Sequence, residues 1–322
     1  MPDPAVKPPA VSLREAGARS SAGLHDGCAP ASRFWTALWP VLIVLGGVIA
    51  LWYGAAIALN ASQVTERFAR DKVPYTTGQL VHGTWSMARP LLPAPHQVGA
   101  DMFHTIFEEP PNSPQSLLFH AGVTSVTTLT GFVLGALLGI FLAVLIVHFR
   151  TLERGVLPWI IASQAVPILA IAPIVIVIFG NLGFSGLAPK AFISMYLCFF
   201  PVTVAMVQGL RSAGVFEREL LRTYAATQQQ AFWRLRLPAS LPFLMPSLRV
   251  GISAGLVGAI VAELPTGAQA GLGARLLAGS YYGNTPQIWS ALLMAAALGL
   301  ALNGLMAVLE RYVLRPWRTV AK

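Results

Sequence analysis

Between Arg211 and Leu241 the sequence mixes charged with large apolar residues at helical spacing: Phe216, Leu220 and Tyr224 with Glu219 and Arg222 among them, then Phe232, Trp233 and Leu235. Steps of four put the first three on one helix face, so the stretch reads as an amphipathic helical hairpin built to grip another surface. The helix itself is expected over 216–227. Pro238, Pro242 and Pro246 follow every four residues, where missing amides and ring clashes disfavour a uniform helix and would set the angle at which the hairpin leaves the next segment. A second centre is Glu263, at the end of an apolar run. A carboxylate at such a depth needs a partner or a water-filled cavity, so it either meets a substrate or gate, or anchors the Gly-rich stretch after it. Gln164 and Asn303, inside other apolar runs, are candidates to line a path through the membrane, helix-to-helix hydrogen bonding being their other use. Arg249, early in its apolar run, is expected to extend towards headgroups.

Other chemistry is missing its parts. A phosphate-cradling P-loop needs Lys after Gly, and none of Lys7, Lys72, Lys190 and Lys322 follows one. There is no intramembrane carboxylate pair. Cys28 and Cys198 stand far apart, and His82, His96, His104 and His120 lack metal-ligand spacing. No enzyme, metal or cofactor is expected.

The elements that must carry these residues are membrane helices. Of 322 residues 55% are hydrophobic and 11% charged, with a mean hydropathy of +0.63, against about 25% charged in a soluble domain. Six segments reach the roughly 20 apolar residues that cross a bilayer: Phe34–Asn60, Leu117–Phe149, Val156–Phe179, Ala191–Leu210, Phe243–Ala262 and Pro286–Leu309. The net charge of +9 divides unevenly on this map. With both termini inside, the inner segments hold 15 of the 22 basic residues and the outer ones 6, Arg249 lying within the fifth segment. Such asymmetry puts the termini in the cytoplasm and explains the basic balance without nucleic acid. The fold class is therefore all-α, a polytopic membrane protein of six transmembrane helices. Residues 1–33 form a disordered cytoplasmic tail, 34–60 the first helix, 61–116 an outer loop on the membrane surface, 117–317 a five-helix core that includes the cytoplasmic loop 211–241, and 318–322 a short tail. Gly131, Gly135 and Gly139, with Gly251 and Gly255, have the spacing of close helix packing.

The inner loop resembles the EAA loop of binding-protein-dependent ABC importer permeases, whose pattern is Glu-Ala-Ala, three residues, Gly, nine residues, Ile, any residue, Leu-Pro. Glu219, the full spacing and Leu237-Pro238 match; Leu220 and Leu221 replace the alanines, Ala225 the glycine and Leu235 the isoleucine. The likeness runs from about Leu91 to Trp317. Leu92, Pro93, Ala94 and Pro95, Pro167 to Pro173, Val261-Ala262-Glu263 and Gly271-Leu272-Gly273 are similar to the nitrate/sulfonate/taurine-type branch. The stretch Ser62–Arg89 has no counterpart there.

The resemblance implies a permease subunit in the bacterial inner membrane. It would pair with a second copy, most simply as a homodimer, and work with separate ABC ATPase subunits and a periplasmic or extracellular solute-binding protein. Glu219, Leu220, Leu221, Arg222, Tyr224, Ala225 and Pro238 would form the ATPase-coupling loop, a short helix tied to a membrane helix. The cargo would be a small polar solute such as nitrate, an alkanesulfonate, taurine or a vitamin precursor. The alternative is a secondary carrier driven by an ion gradient, for which Glu263 is the one intramembrane acid at hand.

Overall fold

The computed structural model describes residues 30–265 and 269–318, which are helical with no strand among them. The expected tails lie outside the described residues, apart from Pro30–Arg33 and Arg318, which are helical. By contacts the chain divides into residues 1–52 and 53–322. In the first, the opening part of α1 (Pro30–Asp71) presents Trp39, Val41, Ile43, Val44 and Leu45 outwards, as a helix in lipid does.

The second unit holds everything else. The α1 helix continues past Asn60 to Asp71, so the expected loop begins as helix. Next come α2 (Thr77–Trp85), opened by a capping box between Thr76 and Gln79, and α3 (Pro95–Phe103), with proline in its first turn and a π-helical turn at His104–Glu108. The buried Asn60 carboxamide organises this α2–α3 segment: its Nδ2 donates to Leu92 O at 2.9 Å and its Oδ1 accepts from Leu91 N at 2.8 Å.

Two long helices, α4 (Leu117–His148) and α7 (Leu187–Arg211), flank a broken pair, α5 (Arg150–Ser163) and α6 (Ile168–Asn181). The third apolar segment is thus two helices meeting at 103°, not one straight span. Pro167 accounts for the break: its ring disfavours helix in the residue before it, and it lacks an amide to continue the ladder. Among the described residues five helices can cross a membrane by length and composition, and the bent pair makes a sixth crossing if taken as one span.

On the other side of α7 come α8 (Val215–Thr223), the short α9 (Gln228–Ala231), a π-helical turn at Phe232–Arg236, α10 (Leu237–Glu263), α11 (Leu272–Tyr282) and α12 (Thr285–Arg318). The centre of the molecule is α7, which packs against both α4 and α10. Glycines set the spacing. A methyl group on Gly131 would lie 2.7 Å from Ala191 O and collide with Ser194, one on Gly135 would lie 2.8 Å from Cys198 Cβ, and one on Gly139 2.8 Å from Phe199 O. From the opposite side Gly251, Gly255 and Gly258 of α10 face the same Cys198 and Ser194, and Ser194 Oγ donates to Gly255 O at 2.9 Å. Backbones meet here because lipid offers no hydrophobic drive, leaving packing and hydrogen bonds to hold the helices together. The α2–α3 segment is fastened to α12: Thr285 Oγ1 donates to Pro90 O at 2.6 Å, and Ser290 Oγ donates to Asp101.

Gly131→Ala should therefore lower stability by about 1–3 kcal/mol, the cost of overpacking. Gly122→Ala, on an open part of the same helix with no atom within 4 Å, should be neutral or slightly stabilising. Thermal unfolding of the detergent-solubilised protein compares the two; equal melting temperatures for both variants would refute the close-packing account.

Candidate functional site

The hairpin leaves an apolar helix face uncovered. Phe216 is 77% exposed, Leu220 47% and Tyr224 77%, following one another along α8 and its C-cap residue, Tyr224. Arg222 and Glu219 pair at 2.8 Å beside them, which fixes polar groups at the edge of the apolar strip.

The helix ends at Thr223, four residues short of the expected end. Ala226 N donates to Leu221 O at 3.0 Å and Ala225 N to Arg222 O at 2.9 Å, the two bonds of a Schellman motif. That motif needs a left-handed residue, and Ala225 takes the role with φ +50°. Alanine makes the turn that glycine makes in the EAA pattern, at the steric cost of a Cβ. Thr227 then caps the next helix, its Oγ1 accepting from Gln230 N.

From Gln228 to Glu263 the chain is one helical run of 36 residues. The expected bend at Pro238, Pro242 and Pro246 is not a break. Pro238 cannot donate to the carbonyl four residues back, and the helix widens instead, Leu237 N donating to Phe232 O across a π-turn. Residues Phe232–Arg236 thus absorb the misfit and keep the hairpin attached rigidly to α10.

Glu263 closes the far end of that run. Its buried carboxylate accepts from Thr124 Oγ1 at 2.9–3.0 Å and from Gly273 N at 2.9 Å. Thr124 Oγ1 in turn accepts from Leu272 N at 2.9 Å, and His120 Nδ1 from Gly271 N at 3.0 Å. Three successive backbone amides at the start of α11 are thereby satisfied by side chains from α4 and α10, an anion at a helix N-terminus. Gly271, at φ +125°, and Gly273 leave the carboxylate its room, since a Cβ on either would strike Glu263. The anchoring role, not the substrate role, is the one this geometry supports.

The structure does not bring Gln164 and Asn303 to Glu263 by any hydrogen bond. Gln164 is exposed at the α5–α6 break. Asn303 Nδ2 donates to Ser253 Oγ at 2.8 Å and to Gly299 O at 2.9 Å, a link between α12 and α10. Arg249 pairs with Glu310 of α12 at 2.7 Å rather than extending alone to headgroups. Sequence reasoning passed over Thr124 and Asn60 and weighed His120 only as a metal ligand; these are single polar residues whose partners are distant in the chain, and only the low frequency of such side chains in apolar runs could have marked them. Arg275, also unremarked, is buried on α11, where desolvation lowers its pKa against the opposing pull of Asp101 and Glu109.

A helical membrane core carrying a rigidly attached amphipathic hairpin defines the membrane subunit of a transport system. Residues 135–318 match the model of the binding-protein-dependent transport system inner membrane component, and the chain belongs to that family of ABC transporter permeases. It is 34% identical over 231 residues to the formylaminopyrimidine transport permease protein ThiX of Halalkalibacterium halodurans, covering 71% of this chain and 86% of that one. It is 33% identical over 168 residues to the riboflavin transport system permease protein RibX of Chloroflexus aurantiacus, covering 52% and 61%. With the putative aliphatic sulfonates transport permease protein SsuC of Bacillus subtilis the identity is 27% over 202 residues, covering 63% and 71%.

Two outcomes follow from the geometry. Ala225→Gly should stabilise the hairpin turn by about 1 kcal/mol, relieving the left-handed strain, and slow limited proteolysis between α8 and α9; faster cleavage would contradict the turn described. Glu263→Ala should cost about 1.5–3 kcal/mol by stripping charged hydrogen bonds from Gly273 and Thr124, read as a lower melting temperature, with Glu263→Gln intermediate.

Proposed function

We propose that this chain is the pore-forming half of an importer that moves a small polar solute inwards, driven by ATP hydrolysed on separate subunits docked at α8. The single observation behind this is the exposed apolar strip Phe216, Leu220 and Tyr224 on a helix joined to an unbroken 36-residue helical run. A large apolar face left open at the edge of a membrane protein calls for a protein partner, and the rigid run gives that partner leverage on the core. Glu219, Leu220, Leu221, Arg222 and Tyr224 would form the contact, Ala225 the turn that ends it, and Pro238 the start of the rod.

The remaining parts of the reading follow from the family. A solute-binding protein would deliver cargo at the face opposite the hairpin, and a second copy of the chain would complete the translocation path. The division of basic residues supports cytoplasmic termini and a cytoplasmic hairpin. Relatives named for formylaminopyrimidine and riboflavin transport put nitrogen heteroaromatic vitamin precursors first among the solutes to test, with aliphatic sulfonates after them. A gradient-driven carrier would need a titrating acid in its path, and Glu263 is already engaged by Gly273 N and Thr124.

The test is reconstitution in liposomes with the partner ATPase and binding protein. Uptake should require ATP, and Glu219→Lys should cut it at least about tenfold, a loss of roughly 1.4 kcal/mol of coupling, while the variant still inserts and folds. Uptake that persists without ATP and collapses with an uncoupler would sink the reading, and unchanged coupling in the variant would remove α8 from it.

A further inference from the structure

Beneath the hairpin lies a cavity of about 340 Å³ lined by Val147, Leu210, Arg211, Ala213, Arg218 and Arg236. Its place in the membrane follows from its walls. Val147 is next to the last residue of α4 and Arg211 is the last of α7, so the cavity opens where two spanning helices end on the same side, the level of lipid headgroups. Three guanidinium groups line it. Arg211 is paired with Glu153 at 2.9 Å, while Arg218 donates from Nε to a carbonyl, Gly214 O, at 3.2 Å. Neither Arg218 nor Arg236 has an ion-pair partner among the described residues. The nearby acids are otherwise occupied: Glu219 holds Arg222, and the Glu217 carboxylate is folded over Gly214 at the start of α8.

Two uncompensated guanidinium groups and a third shared with one carboxylate, around a cavity at headgroup depth, form a site short of an anion. Guanidinium is planar and binds phosphate oxygens in a fork, more weakly hydrated than an ammonium. Basic pockets between membrane helices are filled by anionic headgroups in this way. We propose that the cavity binds the phosphate of an anionic phospholipid, which joins Arg211 at the end of α7 to Arg218 on α8 and Arg236 on the π-turn. The lipid then acts as a brace between the membrane core and the base of the hairpin. This site rests on the chain being a membrane protein and on nothing about its cargo or energy source.

The full-length chain, purified in mild detergent without ATPase, binding protein or solute, is mixed with equal amounts of phosphatidylglycerol and phosphatidylcholine, and retained lipid is counted by native mass spectrometry. The wild type should keep phosphatidylglycerol in preference to phosphatidylcholine. Arg218→Gln with Arg236→Gln should weaken that preference about 25-fold, roughly fivefold for each arginine at about 1 kcal/mol apiece, and the Lys pair should restore part of it. Arg67→Gln, on the opposite face in the expected topology, should match the wild type. Equal retention of the two lipids by the wild type overturns the proposal even if the double variant does not fold. So does a full preference in a folded double variant, or displacement of the lipid by millimolar inorganic phosphate, which would make the site one for free anions.

Discussion

The helical run from Gln228 to Glu263 sets the terms for the rest of the molecule. Thirty-six residues at 1.5 Å each make a rod of roughly 54 Å, against about 30 Å of hydrocarbon. The excess has to emerge, and it emerges as the second arm of the hairpin. Because the helical run is continuous, with no loop inside it, α9 is joined directly to α10, and the π-turn before Pro238 re-registers the ladder. At the opposite end Glu263 binds the rod to α4 and to the first turn of α11. On the reading proposed above, a displacement of the hairpin would reach the far face through this one helix.

Such a rod is useful only if it has a body to move against, and α7 provides it. The glycines of α4 and α10 bring two backbones onto opposite sides of α7 around Ser194 and Cys198. Large side chains at this contact would give more buried area but a wider separation, and in lipid the separation decides how much dispersion the contact recovers. The α2–α3 segment is held in turn, with Asn60 bonded to its Leu91 and Leu92 backbone and Asp101 and Pro90 tied to α12.

Much of this could be read from the chain. Apolar length located the helices α4, α7, α10 and α12, and the four-residue glycine spacing marked the α4–α7–α10 contact. The spacing from Glu219 to Pro238 identified the hairpin and, through it, the family. What escaped were features decided by partners far along the chain. Nothing near Thr124 indicates that it will bridge Glu263 and Leu272 N, since the three are brought together only by folding. The break inside the third apolar segment has a local cause, Pro167, but a count of apolar residues does not register its missing amide. Ala225 is a similar case: its left-handed backbone follows from its position in the motif and runs against its own preference.

The break between α5 and α6 has a consequence for which surfaces of the molecule can touch lipid. Each piece is 14 residues, roughly 21 Å, too short to cross alone. Between them Gln164, Ala165, Val166 and Pro167 are exposed; Pro167 O takes the amides of Ala170 and Ile171, but among the described residues no backbone amide reaches the carbonyls of Gln164, Ala165 or Val166 as in an unbroken span. Only the neighbouring Ser163 carbonyl receives a side chain, the hydroxyl of Tyr196. Bare carbonyls are tolerated at membrane depth only against protein or water. The elbow therefore marks a wettable edge on an otherwise oily perimeter, one that hydrocarbon chains would be driven to leave.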